Sequence, residues 1–431
     1  MASSFVSFFN ILILNTLGYV CIHIANYILS TNLELSRYGD FTCAWQLVCI
    51  VSFVVAFGSF TSAKEFLVQY SKEEKYDKQI AYLAWNLQSV FKTSLILFAI
   101  YLVLWSIFTQ PSGLKTYHIA LHAIIFSPFL TFASLAQIFI LSKGYSFVYA
   151  SVDLLISKAT YLGAICIGLY LFSLQENLVL LTGLIAISLL IVSTYIYTMI
   201  PNNMIYESIS ACFDMKNQRL FYDKNWRNVA NGGALFSVSN IILSVYGIFA
   251  MEIFSPDEIS VGVYGLCSVL VSFFSGLVMT LQRLMAPSIS TIELQSNENN
   301  ASTQEAITLN ALFRAIIITL GAIITLFLGK DILLLFGQSE LVYPLIVPLL
   351  IIESYFDSSC AVRSLFLLSH EEIKYTEVVL LLTLFLNIAL SIYLIPIFNI
   401  MGLVAANLIG TAIRTILLTI KCRKLTTIRF Y

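Results

Sequence analysis

The chain contains twelve apolar runs, each long enough to cross a lipid bilayer. About 20 apolar residues in a helix match the roughly 30 Å hydrocarbon core. Barrel strands alternate in polarity over about 10 residues, and unpaired backbone groups are costly in lipid, so helices are the structure that remains. The predicted spans are residues 5–30, 41–63, 81–108, 117–141, 147–172, 177–199, 229–252, 259–282, 306–329, 343–368, 374–396 and 399–420.

The composition supports an integral membrane protein. Hydrophobic residues make up 59% of the chain and charged residues 11%, whereas a typical soluble domain has about 25% charged residues. The net charge of −1 excludes a basic nucleic-acid-binding protein. The eight cysteines form no CxxC motif, so neither a disulfide framework nor a metal site is indicated. The first run, from Phe5, follows no Lys or Arg and is expected to be a retained span rather than a signal peptide.

Basic residues predict the orientation of the spans. With the N-terminus in the cytoplasm, sixteen Lys and Arg residues fall on cytoplasmic connections and three on the opposite side, while four lie within spans. Cytoplasmic connections of membrane proteins carry such an excess. The sequence therefore predicts a multi-pass protein of the cytoplasmic (inner) cell membrane with both termini in the cytoplasm.

A long polar connection divides the chain into two sets of six spans. We predict an N-terminal half at 1–200, a cytoplasmic linker at 201–228 and a C-terminal half at 229–431. Because six is even, both halves enter the membrane from the same side and are expected to be parallel repeats. The predicted fold is therefore an all-α, polytopic protein of 12 transmembrane helices, in two six-helix halves around a central cavity.

Short matches between the halves support the repeat. Tyr38-Gly39 corresponds to Tyr264-Gly265 at an offset of 226, and Phe91-Lys92 corresponds to Phe313-Arg314 at an offset of 222. Substrate sites of such repeat transporters lie between the repeats, near the middle of the membrane.

Cationic side chains within the spans are candidates for substrate binding. Lys92, Lys158 and Arg314 would line the cavity and present positive charge to a diphosphate or an acidic sugar. The alternative is that each charge reaches back to the nearest interface along its aliphatic stem. That alternative is favoured for Arg414, which lies near the end of the last span.

Three carboxylates within the spans are candidates for ion coupling. Glu353 and Asp357 are four residues apart and share a helix face, so their repulsion favours protonation of one, or a bound cation. The structural alternative is an ion pair with Arg363 or with a residue on another helix. Asp153 is the third candidate; it is five residues from Lys158, a spacing that does not pair well on an α-helical face.

Amides in equivalent spans are further candidates. Asn15 in the first span and Asn231 in the seventh are expected to line the cavity and to bind sugar hydroxyls. The alternative is interhelical hydrogen bonding, at about 0.6 kcal/mol each.

Three passages resemble a known family of exporters. They are the Tyr-Gly pair after the first span, "APSIS" at Ala286–Ser290, and "LIPIFNIMGLVAANLIGTAIR" at Leu394–Arg414. With these passages the whole chain resembles the Wzx-type polysaccharide (O-antigen) flippases of the multidrug/oligosaccharidyl-lipid/polysaccharide (MOP) exporter superfamily. One departure is Phe398-Asn399, where the family has an aromatic residue followed by glycine.

The resemblance implies a transporter rather than an enzyme. It implies export of an undecaprenyl-diphosphate-linked oligosaccharide, such as a lipopolysaccharide repeat unit, by alternating access. No cofactor is expected beyond a proton or sodium gradient, and the expected partners are membrane lipids and a polysaccharide polymerase. The alternatives are a multidrug or cation antiporter of the same superfamily, which shares the fold, and a glycan polymerase or ligase, which the short external loops argue against.

Overall fold

The computed structural model describes residues 2–108, 120–142, 145–200, 205–213, 223–255, 259–290, 300–336, 345–370 and 372–426. In this part of the chain the regular structure is helical throughout, and no strand occurs. The helices are α1 (Ala2–Asn32), α2 (Leu35–Ala56), α3 (Ser59–Lys72), α4 (Tyr76–Phe108), α5 (Ser127–Ser142), α6 (Ser146–Ser151), α7 (Ser157–Cys166), α8 (Leu178–Met199), α9 (Ile205–Phe213), α10 (Lys224–Phe254), α11 (Ile259–Ser290), α12 (Asn300–Leu335), α13 (Ile346–Ser369), α14 (Ile373–Phe398) and α15 (Ile400–Leu425).

The predicted all-helical membrane fold is confirmed. Each predicted span coincides with a described helix or helical stretch, and ten of these are long and apolar enough to cross a membrane. Of the other two predicted spans, the one in α10 has an apolar stretch described over Val238–Phe254, and the one in α13 carries three charged residues, Glu353, Asp357 and Arg363.

The second predicted span was wrong at its C-terminal end. The sequence predicted one helix through residue 63, but α2 ends at Ala56 and α3 begins at Ser59. Phe57 and Gly58 both have positive φ angles, of 45° and 73°. A Cβ atom at Gly58 would lie 1.8 Å from the carbonyl oxygen of Ala230, so only glycine allows α10 to approach this break.

The chain forms two compact units that are not the two sequence halves. The terminal unit comprises Met1–Gly39 and Leu243–Tyr431, and the middle unit comprises Asp40–Ile242. The first helix thus belongs with the C-terminal helices. The relation between the two predicted repeats stays a prediction.

In the terminal unit, α1 packs closely on α11. The Asn15 amide donates a hydrogen bond of 3.0 Å to the Gly276 carbonyl oxygen. A Cβ atom at Gly276 would lie 2.0 Å from the Tyr19 ring. The absence of a side chain at Gly276 therefore lets the two helices meet, as small residues do in membrane interfaces.

In the middle unit, an aromatic cluster ties the start of α10 to α3 and α4. The Trp226 indole N–H donates to the Tyr70 hydroxyl at 2.8 Å, and the Trp226 ring contacts Tyr82 and Trp85. The Tyr82 hydroxyl donates to Ser62 Oγ at 2.7 Å. Trp226 is fully buried, so its indole N–H needs this partner.

The helix that holds Asp153 is not regular. Residues Val152–Ile156 are π-helical, and the Ser157 N–H bonds to the Val152 carbonyl, five residues back. An i→i+5 hydrogen bond replaces the α-helical i→i+4 bond here, so the angle between Asp153 and Lys158 around the helix is not that of a regular α-helix. The expectation that this spacing separates them assumed a regular α-helix.

Candidate functional site

The candidate site is a set of polar side chains on α13, facing α12 and α15 inside the terminal unit. The sequence "ESYFDSSCAVRS" gives this helix hydrogen-bonding or ionisable groups on nearly every turn. Successive contacts with α15 advance along both helices together, from Glu353 with Asn407 to Cys360 with Thr415. The two helices are therefore parallel, as expected for spans separated by a single crossing.

The centre of the site is an ion pair between Asp357 and Arg414. The Arg414 guanidinium donates to Asp357 Oδ1 at 3.0 Å. The Arg414 side chain is 6% exposed, whereas that of Asp357 is 54% exposed. The predicted snorkelling of Arg414 is therefore wrong. For Asp357, this pair matches the structural alternative given by the sequence analysis, an ion pair with a residue on another helix.

Glu353 lies one helical turn before Asp357, about 6 Å along the axis. Its carboxylate accepts a hydrogen bond of 3.4 Å from the Asn407 amide, and the side chain is half-buried. An amide neutralises no charge. In the described part of the chain Glu353 is therefore held by a hydrogen bond, whereas Asp357 is held by an ion pair. Glu353 is the carboxylate better placed to bind a proton or a cation.

Two more arginines are buried next to this pair. Arg314 on α12 is 1% exposed; it contacts Ser358 Oγ at 3.4 Å and lies over the Tyr355 ring, 5.9 Å from its centroid. Arg363 is 4% exposed and donates to the carbonyl and hydroxyl oxygens of Ser359. Hydroxyl, carbonyl and aromatic groups thus solvate these cations in place of water.

Behind the carboxylates, α14 and α15 approach each other at glycine. A Cβ atom at Gly410 would lie 1.6 Å from Asn387 Oδ1. Within the described residues, Asn387 Oδ1 and Asn407 Oδ1 are buried and accept no hydrogen bond. Gly410 therefore makes room for the Asn387 amide between the two helices.

The structure brings only some of the predicted site residues together. Arg314, Glu353 and Asp357 lie in this site, and Asn15 lies in the same unit but bonds across to α11. The others belong to the middle unit: Lys92 and Asn231 are exposed, and Asp153 and Lys158 are half-buried on the π-helical stretch. The predicted roles of all eight residues, and the central cavity, stay predictions.

Sequence reasoning missed the side chains that complete the site. It placed Arg414 at the interface and did not consider Asn407 or Asn387. One available signal was charge complementarity, since the last span offers a cation, Arg414, to the acidic stretch of the tenth. Another was Gly410, which permits close helix packing but gives no hint of the amide that fills the space.

Comparison with known families and with curated proteins finds no match. Several solved structures do match. The MATE multidrug transporter DinF-BH superposes with a TM-score of 0.67 at 16% identity, over 97% of this chain and 95% of its own. The chain has the MATE transporter fold.

Two further solved structures share this fold. A MOP superfamily transporter from Pyrococcus furiosus, whose binding pocket is described as reversed in polarity, gives a TM-score of 0.66 at 11% identity over 97% and 96% of the chains. The MATE transporter VcmN of Vibrio cholerae gives 0.62 at 14% identity over 98% and 97%. The shared fold confirms the predicted all-helical fold class, but at these identities it does not separate a flippase from a multidrug exporter.

Proposed function

We propose that this protein is a transporter that moves a lipid-linked, anionic oligosaccharide across the cytoplasmic membrane by alternating access. The observation that carries the proposal is the group of three buried arginines, Arg314, Arg363 and Arg414, beside the two carboxylates Glu353 and Asp357 in the terminal unit. Charged groups are rare inside membrane proteins because they are expensive there, and they mark substrate or ion pathways.

The chemistry of these side chains suits a diphosphate. A guanidinium offers donors in a planar fork that matches phosphate oxygens, and it keeps its charge in a poorly hydrated interior. The ion pair with Asp357 can be exchanged for one with phosphate, because the Asp357 side chain is 54% exposed and is not enclosed by the protein. The resemblance of Leu394–Arg414 to the flippase passage supports the same substrate class.

Glu353 is the proposed coupling residue, and Asp357 acts through its pair with Arg414. A proton or sodium ion that binds Glu353 in one conformation and leaves in another would bias the cycle by its difference in affinity. Asp153 is a second proposed coupling group, in the middle unit. The return of the empty transporter is the step that needs this bias.

The test is transport by the purified chain in proteoliposomes. A fluorescent undecaprenyl-diphosphate glycan is placed in both leaflets, and an external quencher reaches only the molecules in the outer leaflet. Transport should bring the inner-leaflet molecules to the quencher, so the quenched fraction should exceed the fraction that started in the outer leaflet. Arg314→Gln should slow this at least tenfold, and Arg314→Lys should restore part of it. Arg423→Gln, an exposed arginine on α15, is the matched control and should keep the wild-type rate.

Ion coupling has its own test in the same vesicles. The double variant Glu353→Gln, Asp357→Asn should lose the stimulation of transport by an imposed proton or sodium gradient. Full, gradient-dependent transport by this variant would show that both carboxylates are structural.

The second candidate is a multidrug or cation exporter, which the MATE neighbours favour. It predicts that wild-type vesicles accumulate a fluorescent cationic dye under a gradient and leave the lipid-linked glycan unmoved. That pair of results would replace the flippase proposal.

A further inference from the structure

The middle unit contains a cavity of about 160 Å³ between α4, α5 and α8, with α9 against it. Its wall is almost entirely apolar and includes Leu83, Leu87, Phe132, Phe139 and Leu190. An apolar cavity of about 150 Å³ in another protein stays dry and binds a six-carbon ring. By that measure, this cavity accepts roughly six carbon atoms.

The cavity wall includes the buried hydroxyl of Ser208. Ser208, on α9, is 2% exposed, lines the cavity, and its Oγ makes no hydrogen bond in the described part of the chain. A buried hydroxyl without a partner costs about 1–3 kcal/mol. A ligand with an apolar part for the wall and an adjacent acceptor for Ser208 would remove that cost.

The cavity runs from the membrane interior towards a surface helix. From Leu190 to Tyr197 its wall follows α8 for about 10 Å towards the end of that helix. Ser208 lies beyond that end, on α9. In the predicted orientation this is the cytoplasmic leaflet, where a lipid has its hydrocarbon chain inside and its first polar group near the surface.

Helix α9 is fixed to the span beside it. The Gln88 amide donates to the Cys212 carbonyl oxygen at 2.6 Å, and the Cys212 thiol contacts the Ala84 carbonyl at 3.5 Å. The apolar side of this helix therefore stays against α4 and holds Ser208 at the cavity.

We propose that this cavity binds the hydrocarbon chain of a membrane lipid, with the lipid's first hydrogen-bond acceptor on Ser208. The site would hold the protein to lipids of the inner leaflet. The lipid site does not require the transported molecule to be a lipid, so it is independent of the proposed function. The chain can come from a glycerophospholipid or from an isoprenyl phosphate.

The experiment uses the full chain in nanodiscs that contain a trace of one photoactivatable lipid. One arm carries a diazirine on a phosphatidylethanolamine acyl chain, and the other carries it on an isoprenyl phosphate. Crosslinks mapped by mass spectrometry should concentrate on Phe132 and Leu190, at least fivefold above the exposed residues Leu381 and Phe385 of α14. Labelling by the first arm alone identifies bilayer lipid, and labelling by the second alone identifies an isoprenoid; either supports the site.

Variants separate the cavity from the general lipid surface. Ala136→Phe fills the cavity and should reduce these crosslinks at least tenfold, whereas Ala99→Phe, on the exposed face of α4, should not. If Ala136→Phe does not fold, Ser208→Ala keeps the cavity and should weaken probe labelling about fivefold at subsaturating probe. Equal labelling of cavity and exposed residues, or labelling unchanged by both Ala136→Phe and Ser208→Ala, would overturn the proposal.

Discussion

The ion pair between Asp357 and Arg414 predicts an asymmetric response to mutation. At 3.0 Å the Coulomb attraction is about 5.5 kcal/mol for an effective dielectric constant of 20 and about 1.4 kcal/mol for that of water. The half-exposed Asp357 carboxylate moves the net value towards the lower figure. The two partners nevertheless differ in what remains when the other is removed.

Asp357→Asn leaves a guanidinium that is 6% exposed without its counter-charge, and we expect a loss of about 3 kcal/mol in the free energy of unfolding. Arg414→Met leaves a carboxylate that the protein does not enclose, and we expect a smaller loss, of about 1 kcal/mol. The double variant should be more stable than Asp357→Asn alone, with a coupling energy of about 2 kcal/mol.

The assay is reversible unfolding of the purified protein in mixed micelles, followed by far-ultraviolet circular dichroism, for the wild type, both single variants and the double variant. Arg423→Met, at an exposed position on the same helix, controls for the loss of an arginine. Equal losses in the two single variants, or additive losses in the double variant, would refute the reasoning from burial.

Four further outcomes are expected. Gly410→Ala should lower the free energy of unfolding by about 1–3 kcal/mol, and Asn387→Ala should partly restore it in melting experiments. Gly163→Ala, whose added Cβ atom would have no neighbour within 4 Å, should instead raise the free energy of unfolding by up to about 1 kcal/mol. Burial raises the pKa of the Cys212 thiol, so its alkylation at pH 8, mapped by mass spectrometry, should be slow. Gln88→Ala removes a hydrogen bond that holds α9 and should accelerate the alkylation, and an unchanged rate would argue against docking of α9 on α4. A cysteine at position 314 should react at least tenfold more slowly with a polar maleimide in open membranes than one at the exposed position 423 in the last turn of α15, and equal rates would contradict the burial of Arg314. Reporters after Asp257 should be external and those after Lys216 or Tyr431 cytoplasmic, positions that lie outside the described residues; a cytoplasmic signal at Asp257 would reverse the predicted orientation.

Much of the fold could be predicted because membrane insertion imposes a length on each apolar run. The helix ends were less predictable, since the break at Phe57–Gly58 depends on how closely Ala230 approaches it. Asn399 has a positive φ of 51°, and it stands where the flippase family has glycine. Asparagine tolerates a positive φ better than most residues, and here its side-chain amide is held by hydrogen bonds to Ser255 and Ser260.

The candidate site was predicted only in part. The acidic pair Glu353 and Asp357 was visible from its four-residue spacing. Its partners were not, because Asn407 and Arg414 are more than 50 residues away along the chain and hydropathy carries no information about which helices meet. The Asp153–Lys158 spacing was judged by α-helical geometry, which the π-helical turn replaces.

The charges of α13 also affect how the protein is made. Glu353, Asp357 and Arg363 together oppose insertion of this helix by about 7–10 kcal/mol if each enters the bilayer alone. The residue that neutralises Asp357 lies in the last helix and leaves the ribosome 57 residues later. During synthesis α13 therefore has to be sheltered by the translocon or by earlier helices, and a nascent chain that stops before Arg414 exposes an incompletely compensated segment to quality-control proteases.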